Sequence, residues 1–156
     1  MTKVLFVVSE CAPLVKTGGL ADVAGALPAA LAQYDVNVRV LLPGYRTVMA
    51  QVQKSKPVAT YNNLFGNSAD VIACQIAGVD FLILDAPHLY DRDGSIYGDA
   101  TGADWLDNPE RFAALCKVGA GIAAGDLPDW QPDIVHGHDW HAGLTPEYLR
   151  SAHPRS

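Results

Sequence analysis

Two short runs hold most of the residues whose types and spacing can do chemistry. The first is Lys16-Thr17-Gly18-Gly19, with Asp22 three residues on. Paired glycines let the backbone approach a ligand closely, the amides of a helix start carry positive partial charge, and a lysine adds a full charge on a long stem. That set suits a phosphate or pyrophosphate. It is not a P-loop, because the lysine precedes the glycines, and Gly18, Gly19 and Gly25 lack GxGxxG spacing. The plain alternative is a tight turn beside a solvated lysine. Asp22 falls in the first helical turn, where the helix dipole favours a carboxylate. It can also hold a hydroxyl-rich ligand.

The second run is His136-Gly137-His138-Asp139-Trp140-His141. Three histidines and an aspartate invite a metal reading, yet the order is HxHDxH rather than the HxHxDH of metallo-β-lactamase-like hydrolases. The aspartate is one position early, which turns its side chain the wrong way, and only His153 follows as a further histidine. A polyol site fits better. Asp139 can accept two hydroxyl hydrogen bonds, His138 and His141 can donate or accept, and Trp140 offers a face for a sugar ring. Alternatively, Asp139 caps the next helix and Trp140 packs beneath it. A third stretch, from Pro87 to Pro109, is rich in Asp, Gly, Tyr and Pro and carries Tyr97, Asp99 and Trp105. It reads either as a carbohydrate-recognition loop or as a solvated lid with anchoring aromatics.

The elements that must position these runs follow from periodicity. Lys3 to Ser9 is apolar on both faces and reads as a buried parallel strand. Leu20, Val23, Ala24, Leu27 and Leu31 mark one face of a helix, with Pro28 as a kink or an early end. Val36 to Leu42 is a second strand stopped by Pro43-Gly44, giving a right-handed strand–helix–strand unit. Val58 to Leu64, Asp70 to Ile76 and Val79 to Leu84 read as short strands of an antiparallel insertion, punctuated at Gly66-Asn67-Ser68 and Gly78. Asn108 is set to cap a helix with Pro109 at its first position and Phe112, Leu115, Cys116, Gly119 and Ile122 on its buried face. Asp133 to His136 is a strand, and Thr145 to Arg150 is helical, with Ala142 as an earlier start. The expected fold is α/β, a Rossmann-like open, mostly parallel sheet with an antiparallel insertion. Such a sheet is expected to continue with another strand, whereas the sequence ends at His153-Pro154-Arg155-Ser156.

Composition bounds the function. The chain has 156 residues, 49% apolar and 18% charged, which is globular and about one domain. Its net charge of −6 disfavours a general nucleic-acid binder, which needs a basic face. Cys11, Cys74 and Cys116 are odd in number and far apart, which argues for a reducing compartment over a disulfide framework. The opening apolar run, Val4 to Val8, is too short to span a membrane.

The opening Lys3-Val4-Leu5-Phe6-Val7-Val8-Ser9-Glu10, the Lys16-Thr17-Gly18-Gly19-Leu20-Ala21-Asp22-Val23 run, Val38 to Tyr45, Asp85 to Arg92, Asn108-Pro109-Glu110-Arg111-Phe112 and His136 to Leu144 resemble, in that order, bacterial glycogen synthase and plant starch synthase. The resemblance implies retaining transfer of glucose from ADP-glucose to the non-reducing end of an α-1,4-glucan such as glycogen, without metal or other cofactor. It implies a GT-B glycosyltransferase, two Rossmann-like domains facing a cleft. Residues 1–156 would be the N-terminal, acceptor-side domain, cut before its final strands, with the C-terminal domain absent. Lys16 matches the lysine on the donor phosphates, Gly18 and Gly19 the backbone contacts there, and Tyr97 and Asp139 cleft positions.

The expected site is therefore Asp139 and His138 as catalytic residues, with Lys16, Gly18, Gly19, Asp22, Tyr97 and Trp140 binding substrate and no metal. The expected partners are ADP-glucose and an α-1,4-glucan, with neither nucleic acid nor membrane, in the bacterial cytoplasm. The chain by itself is expected to turn over little or not at all. A glucan- or nucleotide-binding module without catalysis is the alternative, and a metallohydrolase is disfavoured.

Overall fold

Strand β1 (Thr2–Val7) leads through a loop into helix α1 (Gly19–Ala32), and β2 (Val36–Pro43) follows. These lie in a computed structural model that describes residues 1–152. His153 and the final three residues lie outside the described residues. A one-turn helix α2 (Arg46–Met49) precedes β3 (Ala59–Leu64), β4 (Asn67–Ile76) and β5 (Val79–Asp85). Then come a second single turn, α3 (Pro87–Tyr90), the long helix α4 (Asn108–Ala123), strand β6 (Ile134–Gly137), a 3-10 turn at Trp140–Ala142 and α5 (Thr145–Ala152).

The six strands form one sheet in the order β3-β4-β5-β2-β1-β6. β1 pairs in parallel with β2 and β6, and β2 in parallel with β5. The β3–β4 and β4–β5 pairs are antiparallel. Those hairpins close through Phe65-Gly66 and Ala77-Gly78, all four at positive φ, the backbone of tight hairpin turns whose twist matches the strands. The expected antiparallel segment is present, but it extends the main sheet, because β5 joins both halves.

Two helices depart from a simple periodic reading. α1 runs through Pro28 to Ala32, and its buried residues are Ala21, Ala24 and Pro28, while Val23 is 52% exposed. The reason is close approach: a Cβ on Gly25 would meet the Ala12 carbonyl oxygen at 2.5 Å. Small residues line that contact, and Leu20, Leu27 and Leu31 move to its flanks. α4 begins at Asn108 itself, flanked by Asp107, and its predicted apolar face is buried throughout.

The chain moves from β1 to β2 in one direction across the sheet and from β5 back to β6 in the other. Right-handed crossovers in opposite directions place their helices on opposite faces. The crevice that results opens at the carboxyl ends of β1 and β6, where open α/β sheets bind ligands. Phe6 sits beside His136 and Val7 beside Gly137 in register, so the loops carrying Lys16 and Asp139 leave the sheet from adjacent strands.

Candidate functional site

Just past the end of β1 stand Ser9 and Glu10, both buried, and Glu10 is 2% exposed. Its carboxylate accepts hydrogen bonds from the amides of Gly18 (3.1 Å) and Thr17 (3.4 Å), from the Thr17 hydroxyl and from the Tyr97 hydroxyl (2.8 Å). Burial pushes the Glu10 pKa up, but these donors, Thr17 and Tyr97 foremost, outweigh it and hold the group below the ordinary range. An ionised Glu10 therefore shapes the Lys16–Gly19 loop from beneath. It also uses two of the loop amides, which leaves the first turn of α1 to face an anion, and that turn has no side-chain cap. Lys16 pairs with Asp22 at 2.8 Å, both about half exposed. Such exposed pairs are worth only ~0–1 kcal/mol, so a phosphate can take Lys16 from Asp22 at little loss.

After β6 the backbone amide of His138 donates to the Val7 carbonyl at 3.0 Å, and the chain turns sharply. Asp139 adopts φ 63° and ψ −174°, a region that is essentially glycine-only, and its side chain makes no cap hydrogen bond. The capping alternative is thus not the arrangement seen. The Asp139 Oδ2 lies 3.7 Å from His141 Nδ1. His141, 5% exposed, stacks nearly parallel on Tyr97 at 4.8 Å and sits 3.9 Å from the Trp140 ring. Trp140 is 62% exposed, edge-on to Phe112 at 5.4 Å, rather than packed beneath the following helix.

The structure joins the predicted residues other than His138 into one constellation. Lys16, Gly18, Gly19 and Asp22 lie in or against a loop fixed by Glu10. Glu10 is bonded to Tyr97, Tyr97 stacks on His141, and His141 faces Asp139 and Trp140. A cavity of about 520 Å³ opens beside them, with Tyr97, Asp104, Trp105, Asn108, Trp140 and His141 in its wall. Aromatic walls with a few polar groups are what a small-ligand pocket requires.

Asp99 stands apart, accepting from the Thr101 and Ala103 amides in a local turn. Among the described residues no metal-ligating group of three His, Cys, Asp or Glu side chains forms.

His138 is set apart too. Its ring lies 4.5 Å from Phe6 and 4.0 Å from the His136 ring, and its Nε2 is buried without a partner. Desolvation, with repulsion from His136, lowers its pKa from 6.5 to about 4. The neutral form is the folded one, so the unfolded chain binds the extra proton between those values. Stability is then full above pH 6.5 and falls as the pH drops toward 4. Urea denaturation across that window should show this slope, and His138→Gln should flatten it. A residual slope from His141, also lowered by burial, is expected. An unchanged slope in the variant would show that His138 is not held neutral.

Glu10 and the stacked role of His141 were not legible from spacing. The available signal for Glu10 was a polar pair directly after five apolar residues.

An open, mostly parallel sheet whose strand order reverses beside β1, with helices on both faces, defines a doubly wound α/β domain. A sequence profile of the starch synthase catalytic domain matches residues 3–156, and the chain belongs to that family. Glycogen synthase of Granulibacter bethesdensis is 57% identical over 148 residues, 94% of this chain and 31% of its own length. That of Paracoccus denitrificans is 57% identical over 152 residues, 97% of this chain and 32% of its own. The chain thus spans about a third of these curated relatives. The catalytic domain of starch synthase IV from Arabidopsis thaliana, solved bound to ADP and acarbose, shares the fold at TM-score 0.68 and 22% identity, over 96% of this chain and 32% of that one. No helix among the described residues is long and apolar enough to cross a membrane.

Proposed function

We propose that this chain is the N-terminal, acceptor-side part of an ADP-glucose-dependent glucosyltransferase that extends an α-1,4-glucan. The observation that carries the reading is the Glu10 junction. One buried carboxylate fixes both the lysine–glycine loop and the tyrosine of the aromatic cavity. Anion and sugar contacts then share one frame, as a transfer between a nucleotide sugar and a glucan needs. Similarity to the two glycogen synthases and to a starch synthase fold bound to ADP and acarbose supports the same reading.

In this proposal the bond from the anomeric carbon to the diphosphate oxygen breaks, one to the acceptor hydroxyl oxygen forms, and that hydroxyl's proton passes to the released diphosphate. Lys16 and the first turn of α1 meet the charge that grows on the leaving diphosphate. Asp139 orients sugar hydroxyls, and Tyr97, Trp140 and Trp105 wall the glucan. His141, which faces Asp139 and the cavity, is better placed than His138 to touch a sugar. Three free thiols fit a reducing cytoplasm. Residues 1–156 are proposed to be the acceptor-side domain of a longer enzyme and to transfer little glucose alone, since they span about a third of the length of the related glycogen synthases.

Calorimetric titration of the chain tests the acceptor side. A maltooligosaccharide should bind, Trp140→Ala should abolish that binding, and ADP-glucose should bind more weakly. Tight ADP-glucose binding with no maltooligosaccharide binding would instead favour a nucleotide-binding module.

A further inference from the structure

We propose that Arg111 and Asn108, at the start of α4, are positioning residues that set Tyr97 and, through Glu10, the Lys16–Gly19 loop. Arg111 is 1% exposed and has no carboxylate partner among the ion pairs of the described residues. A buried charge without a counter-ion is a heavy penalty, and an apolar side chain would anchor a helix start without it. The guanidinium spends its donors on the segment that ends at Tyr97. Its Nε donates to the Leu89 carbonyl at 2.7 Å, and one terminal nitrogen donates to the Ile96 carbonyl and the Asn108 side-chain oxygen, both at 2.8 Å. Asn108 Nδ2 in turn donates to the Tyr97 carbonyl at 2.9 Å. The two carbonyls on either side of the Tyr97 α-carbon are thereby fixed to one helix.

From there the path reaches the first loop by two routes. The Tyr97 hydroxyl donates to Glu10 and lies 2.7 Å from the Ser9 hydroxyl. The Tyr45 ring faces the Arg111 guanidinium at 6.0 Å, and its hydroxyl donates to the Ser9 carbonyl at 2.7 Å. Both routes converge on the Ser9–Glu10 pair, and Glu10 holds the Thr17 and Gly18 amides. A fork of rigid donors suits this task where a lysine, a single flexible point charge, does not.

The kinetic consequence rests on the glucosyltransferase reading, but the structural coupling does not. The test uses amide NMR of the 156-residue chain. Arg111→Lys and Asn108→Ala should each shift the Thr17 and Gly18 amide signals and speed their hydrogen exchange. Leu115→Ala, a buried change on the same helix outside the hydrogen-bonded path, should leave them in place. Tyr97→Phe should reproduce the Arg111→Lys shifts, because it removes the last link. If Arg111→Lys does not fold, Asn108→Ala carries the test. Unmoved Thr17 and Gly18 signals in a folded Asn108→Ala or Arg111→Lys chain would overturn the proposal, as would equal movement in Leu115→Ala. In the complete enzyme Arg111→Lys should lower kcat/KM for ADP-glucose about tenfold or more. Absence of transfer by the unmodified enzyme would refute the functional reading and leave the NMR result standing.

Discussion

Lys16→Ala in the complete enzyme should lower kcat/KM for ADP-glucose by about 10²–10³, the loss typical of removing one preorganised charge or donor from a developing anion. The geometry argues for an effect of that size. Lys16 stands beside the uncapped first turn of α1, and its exposed pairing with Asp22 offers little resistance to exchange. The Thr17 and Gly18 amides are committed to Glu10, so they do not replace the lost cation. Maltooligosaccharide affinity should stay near wild type, since Lys16 is outside the aromatic cavity wall. Steady-state kinetics with each substrate varied in turn separates the two. Unchanged donor kinetics would remove Lys16 from the phosphate site.

Asp139 should show opposite signs for stability and activity. A non-glycine residue held at φ 63° and ψ −174° stores roughly 1–3 kcal/mol. Its side chain makes no cap bond that would account for retaining it. Glycine relieves the strain, with about 0.5–1 kcal/mol returned through the freer unfolded chain. Asp139→Gly should therefore stabilise the chain by ~1 kcal/mol, while Asp139→Ala should be close to neutral. Both should lower transfer by about 10²-fold or more if the carboxylate holds reacting sugar hydroxyls. Thermal melts and turnover on the same preparations check this. A glycine variant less stable than the alanine variant would mean that the backbone is not strained.

Much of the scaffold was legible because its signals are local. The apolar run of β1, the buried face of α4 and the glycine turns at Gly66 and Gly78 each speak within a few residues. So did the placing of two polar loops at one sheet edge, since strand–loop–helix order decides it. What periodicity did not show depends on approach between distant segments. Gly25 against the Ala12 carbonyl centres the buried face of α1 on small residues and leaves Leu27 and Leu31 partly buried at its flanks. β5 belongs to both halves of the sheet because of its pairing with β2. Single-turn helices such as α2 and α3 are too short to carry a period. In the site, residue types pointed to Lys16, Tyr97 and Asp139, but Glu10 gains its role from partners 7, 8 and 87 residues away. His138 and His141 look alike in sequence. Only packing separates a ring set against Phe6 and His136 from one stacked on Tyr97.

If the Lys16 loop and the Asp139 cluster serve one transfer from a nucleotide sugar to a glucan, both must be needed for the same turnover. The most direct measurement is incorporation of labelled glucose from ADP-glucose into a maltooligosaccharide by the complete enzyme. The expected result is chain extension by α-1,4-linked glucose that is lost with Lys16→Ala and with Asp139→Gly. Labelled glucose that stays on ADP, or extension that survives both substitutions, would contradict it.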